Sequence, residues 1–351
     1  MRIIVNARFL TQPVSGVQRY GIECSRQIKK LYPETIFVCP DAVLHTDVAL
    51  ELGAVAYGKF HGHLWEQLEL PAFCKSKGSP PLLNLANTAP LFYTNNFFTL
   101  HDLAFHYHPE WNQGFFAKWY NYLVPKLLNK SIGIFTVSET VKNEIITAYC
   151  IVPDKISVTY NGVPGYMKDT ANSGIPKERL ILCVGTFNIR KNQGKLIEAF
   201  MRSNLKESYQ LVLVGDQNRV FRALQISEAD LENSHVKILT RATETELRDL
   251  YLRAEMVVSV SLYEGFGIPL AEGMAAGCSL FCSEIPVYRE LFGQIATFCD
   301  PENAEDIRQK LEQIAGKRTQ QPHTVSGQLL QLYDYERSAR IIMNAIGQMV
   351  R

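Results

Sequence analysis

The feature that most limits the folds open to this chain is a short valine-rich run, Met256 to Val260, that breaks off at Ser261 and passes straight into a glycine-rich turn. Such a run, bounded by turn residues, reads as a parallel strand buried on both faces. In the turn, Gly265 and Gly267 let the backbone bend tightly and approach a ligand without Cβ interference. Pro269 suits the first position of a helix, where a missing N–H costs little, and Gly277 closes that helix. Strand, glycine turn and helix in this order describe an open α/β sheet. The free N–H groups and dipole at the helix start favour an anion, so a phosphate-bearing ligand is the natural guest.

Two carboxylates flank the turn, Glu264 within it and Glu272 on the helix. Carboxylates accept hydrogen bonds from vicinal sugar hydroxyls, and a turn that also gathers N–H donors can hold a sugar and a phosphate together. The plainer reading of the same residues is a solvated glutamate and a glutamate paired with the helix dipole. The turn alone favours the plainer reading, and the surrounding residues decide otherwise through a resemblance. Glu264 and Glu272, separated by seven residues that include Gly265-Phe266-Gly267-Ile268-Pro269, resemble the signature of the retaining nucleotide-sugar glycosyltransferases of the GT-B fold, family 4, of the bacterial surface-polysaccharide type. Further segments resemble that family in order over nearly the whole chain.

At 351 residues the chain exceeds the usual size of one domain, which predicts two domains with cores of their own. A net charge of +1 gives no support for a nucleic-acid partner. The eight cysteines lie mostly in apolar runs with no CxxC pair, as expected of reduced core thiols in the cytoplasm. Cys278 and Cys282 lack partners at zinc-site spacing, and His61 and His63 would diverge on a helix, so no metal is expected. No apolar run approaches the length of a signal peptide or a membrane span, so the chain reads as cytoplasmic.

In the first half, a strand at Arg2–Asn6 leads through Ser15-Gly16-Val17 into a helix that Pro33 stops. Gly16 permits close backbone approach, although glycines are also ordinary in such turns. Trp65-Glu66-Gln67-x3-Pro71 resembles a subgroup of the family, with no physical role evident from the sequence. His101 and Asp102 follow a strand at Phe97–Leu100, at the carboxyl edge where open α/β sheets bind ligands. The resemblance implies that His101 lies beside the donor sugar; the residues alone equally describe a loop histidine paired with Asp102. The helix Gly114–Lys130 carries aromatics and lysines. They suit either a core-packed helix with solvated cations or contact with a bilayer holding a lipid-linked acceptor.

In the second half, a strand from Leu180 ends at Gly185-Thr186-Phe187-Asn188-Ile189-Arg190-Lys191-Asn192. Adjacent cations just before a helix are electrostatically unfavourable unless an anion joins them. In the family this segment clamps the diphosphate, which implies that role for Arg190 and Lys191. Thr186 stands where many members carry arginine. The segment Thr240-Arg241 falls where the family reads the nucleotide base, and Thr243-x-x-Glu246 forms a capping box. Gly316–Ser326 suggests a second crossing between domains, and Gln328–Val350 reads as one helix.

The resemblance thus implies two Rossmann-like domains facing across a cleft. Residues 1–165 with a returning C-terminal helix, 327–351, would form an acceptor domain, and 175–320 a nucleotide-sugar domain. It implies transfer of a hexose, with a lean toward GDP-mannose, to a saccharide or lipid-linked acceptor, with retention and without a metal cofactor. His101, Arg190, Lys191 and Glu264 would serve catalysis. Gly16, Thr186, Arg241, Gly265, Phe266, Gly267 and Glu272 would bind the donor. An inner-membrane-associated cytoplasmic protein follows from a lipid-linked acceptor. A nucleotide-sugar epimerase of the same fold and a non-catalytic sugar-nucleotide sensor remain open. An NAD dehydrogenase is disfavoured, because no GxGxxG follows a strand with an acidic partner downstream.

Overall fold

The computed structural model describes residues 2–111, 114–167, 170, 174–215, 235–240, 242–315 and 324–350. The chain divides into two compact units, Met1–Gly162 with Tyr333–Arg351, and Val163–Leu332. Both are parallel α/β sheets, and together they make the GT-B fold.

In the first unit β1 (Ile4–Asn6), α1 (Gly16–Leu31), β2 (Ile36–Cys39), α2 (Thr46–Leu52) and β3 (Val55–Ala56) build one half of the sheet. Then α3 (Gly62–Ser76), β4 (Leu82–Asn84), β5 (Asn96–Leu100), α4 (Ala104–Tyr107), α5 (Gly114–Lys130), β6 (Gly133–Thr136), α6 (Glu139–Tyr149) and β7 (Ile156–Val158) build the other. The strand order is β3-β2-β1-β4-β5-β6-β7. Central β1 pairs on both sides, with Val5 opposite Phe37 and Leu83. Ile4 and Leu82 pack with Trp65 and Phe73 of α3, while Phe98 and Ile134 pack with Leu123 and Leu127 of α5. A strand buried on both faces needs apolar residues throughout, which is why these read as continuous runs.

The second unit runs β8 (Glu178–Val184), α7 (Gln193–Arg202), β9 (Gln210–Gly215), β10 (Val236–Thr240), α8 (Glu244–Arg253) and β11 (Ala254–Ser259). It continues with α9 (Ile268–Ala275), β12 (Ser279–Ser283), α10 (Pro286–Phe292), β13 (Ala296–Cys299), α11 (Ala304–Ala315) and α12 (Thr324–Leu332). Its order is β10-β9-β8-β11-β12-β13. In each sheet the chain lays strands outward to one side, then returns to the centre and proceeds to the other. The reversal falls between β1 and β4 in the first sheet and between β8 and β11 in the second. Loops leaving the carboxyl ends of such a strand pair diverge, and the crevice between them is where open α/β sheets take ligands.

The C-terminal segment departs from the expected single helix. It forms α12 and a separate α13 (Tyr335–Met349), because Asp334 caps α13 by accepting the Glu336 N–H at 2.6 Å. The units accordingly divide at Tyr333, not within Gly316–Ser326, of which residues 316–323 lie outside the described residues. In the first unit, α13 lies against α1 and against the turn after β7. Ser338 donates to the Tyr160 carbonyl at 2.7 Å, and a side chain at Gly162 would meet the Tyr335 backbone nitrogen at 2.5 Å. Helix α11 begins at Ala304, where the Asn303 side chain accepts the N–H groups of Glu305 and Asp306. Of the eight cysteines, seven are buried and Cys150 is exposed.

Candidate active site

The second sheet's reversal point carries the charged residues. After β8, Gly185 and Thr186 lead to Asn188, whose side chain accepts the Lys191 N–H at 3.0 Å and caps a 3-10 turn, Ile189–Lys191. Asn192 follows in the left-handed region at φ 56°, a conformation that asparagine tolerates. Its amide donates to the carbonyls of Val260, at the end of β11, and Pro301, at 3.2 and 2.7 Å. The Leu262 N–H then donates to the Arg190 carbonyl at 2.8 Å. The loop after β8 is thereby stitched to the loop after β11.

The stitching brings Lys191 Nζ to 2.5 Å from Glu264 Oε1, with Arg190 Nη2 3.9 Å from Oε2. Burial alone would raise the Glu264 carboxyl, but Lys191 and Arg190 outweigh it and hold the group below the usual carboxylate range. The carboxylate is therefore ionised at neutral pH, and the trio carries one net positive charge. Lys191 and Arg190 retain 16 and 23% of their side-chain exposure, against 8% for Glu264. The cations are the members that solvent, or a ligand, can reach.

Gly265, Phe266 and Gly267 are all buried, and Gly267 caps α9 at φ 120°. A Cβ there would lie 2.7 Å from the ring of Tyr288, so the turn admits only glycine. Tyr288 is itself fixed by a 2.6 Å hydrogen bond between its hydroxyl and Ser259. Pro269 occupies the second helical position, not the first, since α9 opens at Ile268. Glu272 is 3% exposed, and its two oxygens accept the hydroxyls of Tyr166 at 2.5 Å and Tyr251 at 2.6 Å. Thr186 is exposed and accepts from the Asn188 amide at 3.0 Å. Arg241 lies outside the described residues.

In the first unit, His101 follows β5 and is 5% exposed. Its N–H donates to Asn87 Oδ1 at 2.8 Å, and its Nε2 donates to the Leu85 carbonyl at 2.9 Å. Because a carbonyl only accepts, Nε2 carries the proton and Nδ1 holds the lone pair. Burial lowers the ring's pKa, so the imidazole is neutral at pH 7. Asp102 instead accepts the Ala104 N–H at 3.1 Å. Gly16 is the exposed first residue of α1, which Ser15 and Gln18 close with a capping box. One turn on, Tyr20 stands edge-on to His101, 4.9 Å between centroids.

Residues 14–164 match the family described as Glycosyltransferase Family 4, and residues 167–324 the family described as Glycosyl transferases group 1. The chain belongs to the family 4 glycosyltransferases of the GT-B fold. Its relatives include the O-antigen chain mannosyltransferase RfbU of Salmonella typhimurium, 26% identical over 368 residues and covering 99% of each chain. Another is the O-antigen chain mannosyltransferase B of Escherichia coli, 24% identical over 339 residues and covering 88% of each. A glycosyltransferase from Rickettsia africae shares the fold at a TM-score of 0.72 and 19% identity, over 100% of this chain and 98% of that one. Anabaena HepE, solved with UDP-glucose, does so at 0.74 and 17% identity, over 99% and 100%.

Several residues that shape this glycosyltransferase's site have no signal in its sequence. Tyr166, Tyr251 and Tyr288 converge on Glu272 and Gly267 from distant segments, which no local pattern announces. Asn188 and Asn192 were readable in principle, since asparagine beside a glycine loop is a cap or a left-handed residue.

Proposed function

We propose that this glycosyltransferase moves a hexose, mannose foremost, from a nucleoside diphosphate to a hydroxyl of a saccharide or lipid-linked oligosaccharide in O-antigen or related surface-polysaccharide assembly. The observation that carries the reading is the contact of Lys191 and Arg190 with Glu264 at the second sheet's reversal point. Two cations and one carboxylate leave a positive charge for a departing diphosphate. Fixed charges of this kind stabilise a transition state without reorganisation. In this reading Lys191 and Arg190 neutralise the leaving group, which takes the acceptor's proton, and configuration is retained without a divalent metal. Glu264 and the N–H groups near Gly267 grip the sugar, Glu272 binds the ribose, and neutral His101 accepts a hydrogen bond from the sugar through Nδ1. The names of the O-antigen relatives support mannose and the pathway.

A lipid-linked acceptor requires reach to a bilayer, and among the described residues no helix is long and apolar enough to cross one. We assign peripheral contact to the outer face of α5, whose inner residues Leu123, Val124 and Leu127 are buried in the core. There Lys126 lies 3.3 Å over the ring of exposed Tyr122, and Lys130 lies 5.2 Å over that of exposed Phe92. Thermal shift against a panel of GDP- and UDP-sugars, followed by mass spectrometry of products, tests the proposed reaction. Stabilisation by sugar nucleotides is the expected result; stabilisation by NAD alone would overturn the reading.

A further inference from the structure

The donor chemistry leaves one motif without a task, the His63-Leu64-Trp65-Glu66-Gln67 segment that opens α3. It sits at the first sheet's reversal point, the counterpart within the first unit of the place where Lys191 and Glu264 meet in the second. Arg8 follows β1, Thr88 follows β4, and Glu66 reaches both. Glu66 Oε1 accepts from Arg8 Nε at 3.1 Å, Asn6 Nδ2 at 3.1 Å and Thr88 Oγ1 at 3.0 Å. Arg8 Nη2 closes the ring by donating to Thr88 at 2.9 Å. Glu66 is 1% exposed and Arg8 6%. Buried ion pairs often contribute no more stability than apolar residues of the same volume, so folding alone does not account for this one.

The network has an outlet. Glu66 Oε2 is left for His63 Nδ1, at 3.2 Å. Burial would raise the Glu66 carboxyl, but the Arg8 guanidinium and the hydrogen bonds from His63 and Thr88 outweigh it and bring it down to about 2, so it stays anionic. A carboxylate can only accept, which places the proton of a neutral imidazole on Nδ1 and leaves a lone pair on Nε2. The His63 side chain is 35% exposed, and among the described residues its Nε2 makes no hydrogen bond. Trp119 and Tyr120 of α5 stand edge-on to the ring, with centroids 6.0 and 6.2 Å away. The Trp119 Nε1 donor is buried and has no partner among the described residues. Arg8 and Glu66 cancel in charge, so the corner does not select an anion. A bare acceptor nitrogen between aromatic rings suits a neutral polyhydroxylated ring.

We propose that this corner is a saccharide site in which His63 Nε2 accepts a hydrogen bond from a sugar hydroxyl, flanked by Trp119 and Tyr120, with Glu66 and Arg8 as positioning residues. That the saccharide is the acceptor rests on the transferase reading; the site itself does not.

The test uses the full-length protein with histidine nitrogens labelled with ¹⁵N, and His63→Gln to assign the resonances. In the free protein, at a pH where the imidazole is neutral, His63 should show protonated Nδ1 and unprotonated Nε2. Titration with methyl α-glycosides of mannose, glucose, galactose and N-acetylglucosamine should shift the Nε2 signal saturably for at least one of them. Trp119→Phe should weaken that binding severalfold. An Nε2–H tautomer, or no shift with any glycoside up to its solubility limit, overturns the proposal. In transfer assays with a sugar nucleotide the wild type accepts, His63→Gln should raise the acceptor KM about tenfold with nucleotide affinity unchanged. An unchanged acceptor KM, or a parallel loss of nucleotide affinity, also overturns it. Failure of every sugar nucleotide to bind the wild type would sink the transferase reading instead, with the glycoside titration still deciding the site.

Discussion

Replacing Glu264 by glutamine keeps the shape of the site and removes the charge that separates two cations. The carboxylate lies 2.5 Å from Lys191 and 3.9 Å from Arg190. At an effective dielectric of about 20 these separations give gross attractions of about 7 and 4 kcal/mol, most of it offset by desolvation. Breaking a buried ion pair costs roughly 3–5 kcal/mol, and the partial exposure of both cations argues for the lower end, about 3 kcal/mol. For a unit of this size that lowers the melting temperature by roughly 6–12 °C. The same electrostatics set the sign for ligand binding. Without the carboxylate the surroundings of Lys191 and Arg190 are more positive by one charge, so Glu264→Gln should bind the nucleoside diphosphate about tenfold more tightly while losing transfer. With nucleotide about 100-fold above the wild-type Kd, the linked stabilisation is about 2.7 kcal/mol for the wild type and about 4.1 for the variant. The variant should therefore gain roughly 3–6 °C more than the wild type in a thermal-shift assay. Because the folded-state pKa of Glu264 is depressed, the wild type's advantage is complete above pH 4.5 and fades as pH falls through the folded value. Equal or smaller nucleotide stabilisation of the variant would refute the idea that these cations face the diphosphate.

Lys191→Ala should reduce kcat/KM by about 10²–10³ with the fold intact, as for loss of a fixed charge at a developing anion; turnover within tenfold of wild type, measured by coupled release of nucleoside diphosphate, would exclude it. His101 has a folded pKa below its unfolded value of about 6.5, so the unfolded state binds the extra proton first. Its contribution is complete above pH 6.5 and is lost as pH falls toward the folded value, with a slope of up to about 1.4 kcal/mol per pH unit that His101→Gln should abolish in urea unfolding curves. Lys126→Glu with Lys130→Glu should reduce co-flotation with anionic vesicles while leaving nucleotide binding unchanged; undiminished flotation would remove α5 from the membrane contact.

Much of this architecture was legible because its signals are local. A parallel strand buried on both faces is a continuous apolar run, as at Phe97–Leu100 and Leu180–Val184, and a glycine turn after it marks the carboxyl edge. The short β3 escaped notice because its two residues, Val55 and Ala56, form an exposed edge with no run to detect. The break before α13 was missed because the apolar residues on either side of Asp334 continue a helical rhythm that its capping interrupts. Glu264, Arg190 and Lys191 could be named from their positions after strands, but nothing local joins residues 73 apart.

By itself the sequence determined the two α/β sheets, the glycine that Tyr288 demands at position 267, and the set of charged groups at the strand ends. Only the tertiary structure decided their partners. It brought Asn192 across to β11 and thereby Lys191 to Glu264, set two tyrosines on Glu272, and aimed Glu66 at His63 from a network of Arg8, Asn6 and Thr88. The physical reason is the range of the forces. Backbone preference and apolar periodicity act between neighbours in the chain, whereas a buried charge is stabilised by whichever opposite charge the packing of distant strands delivers within a few ångströms.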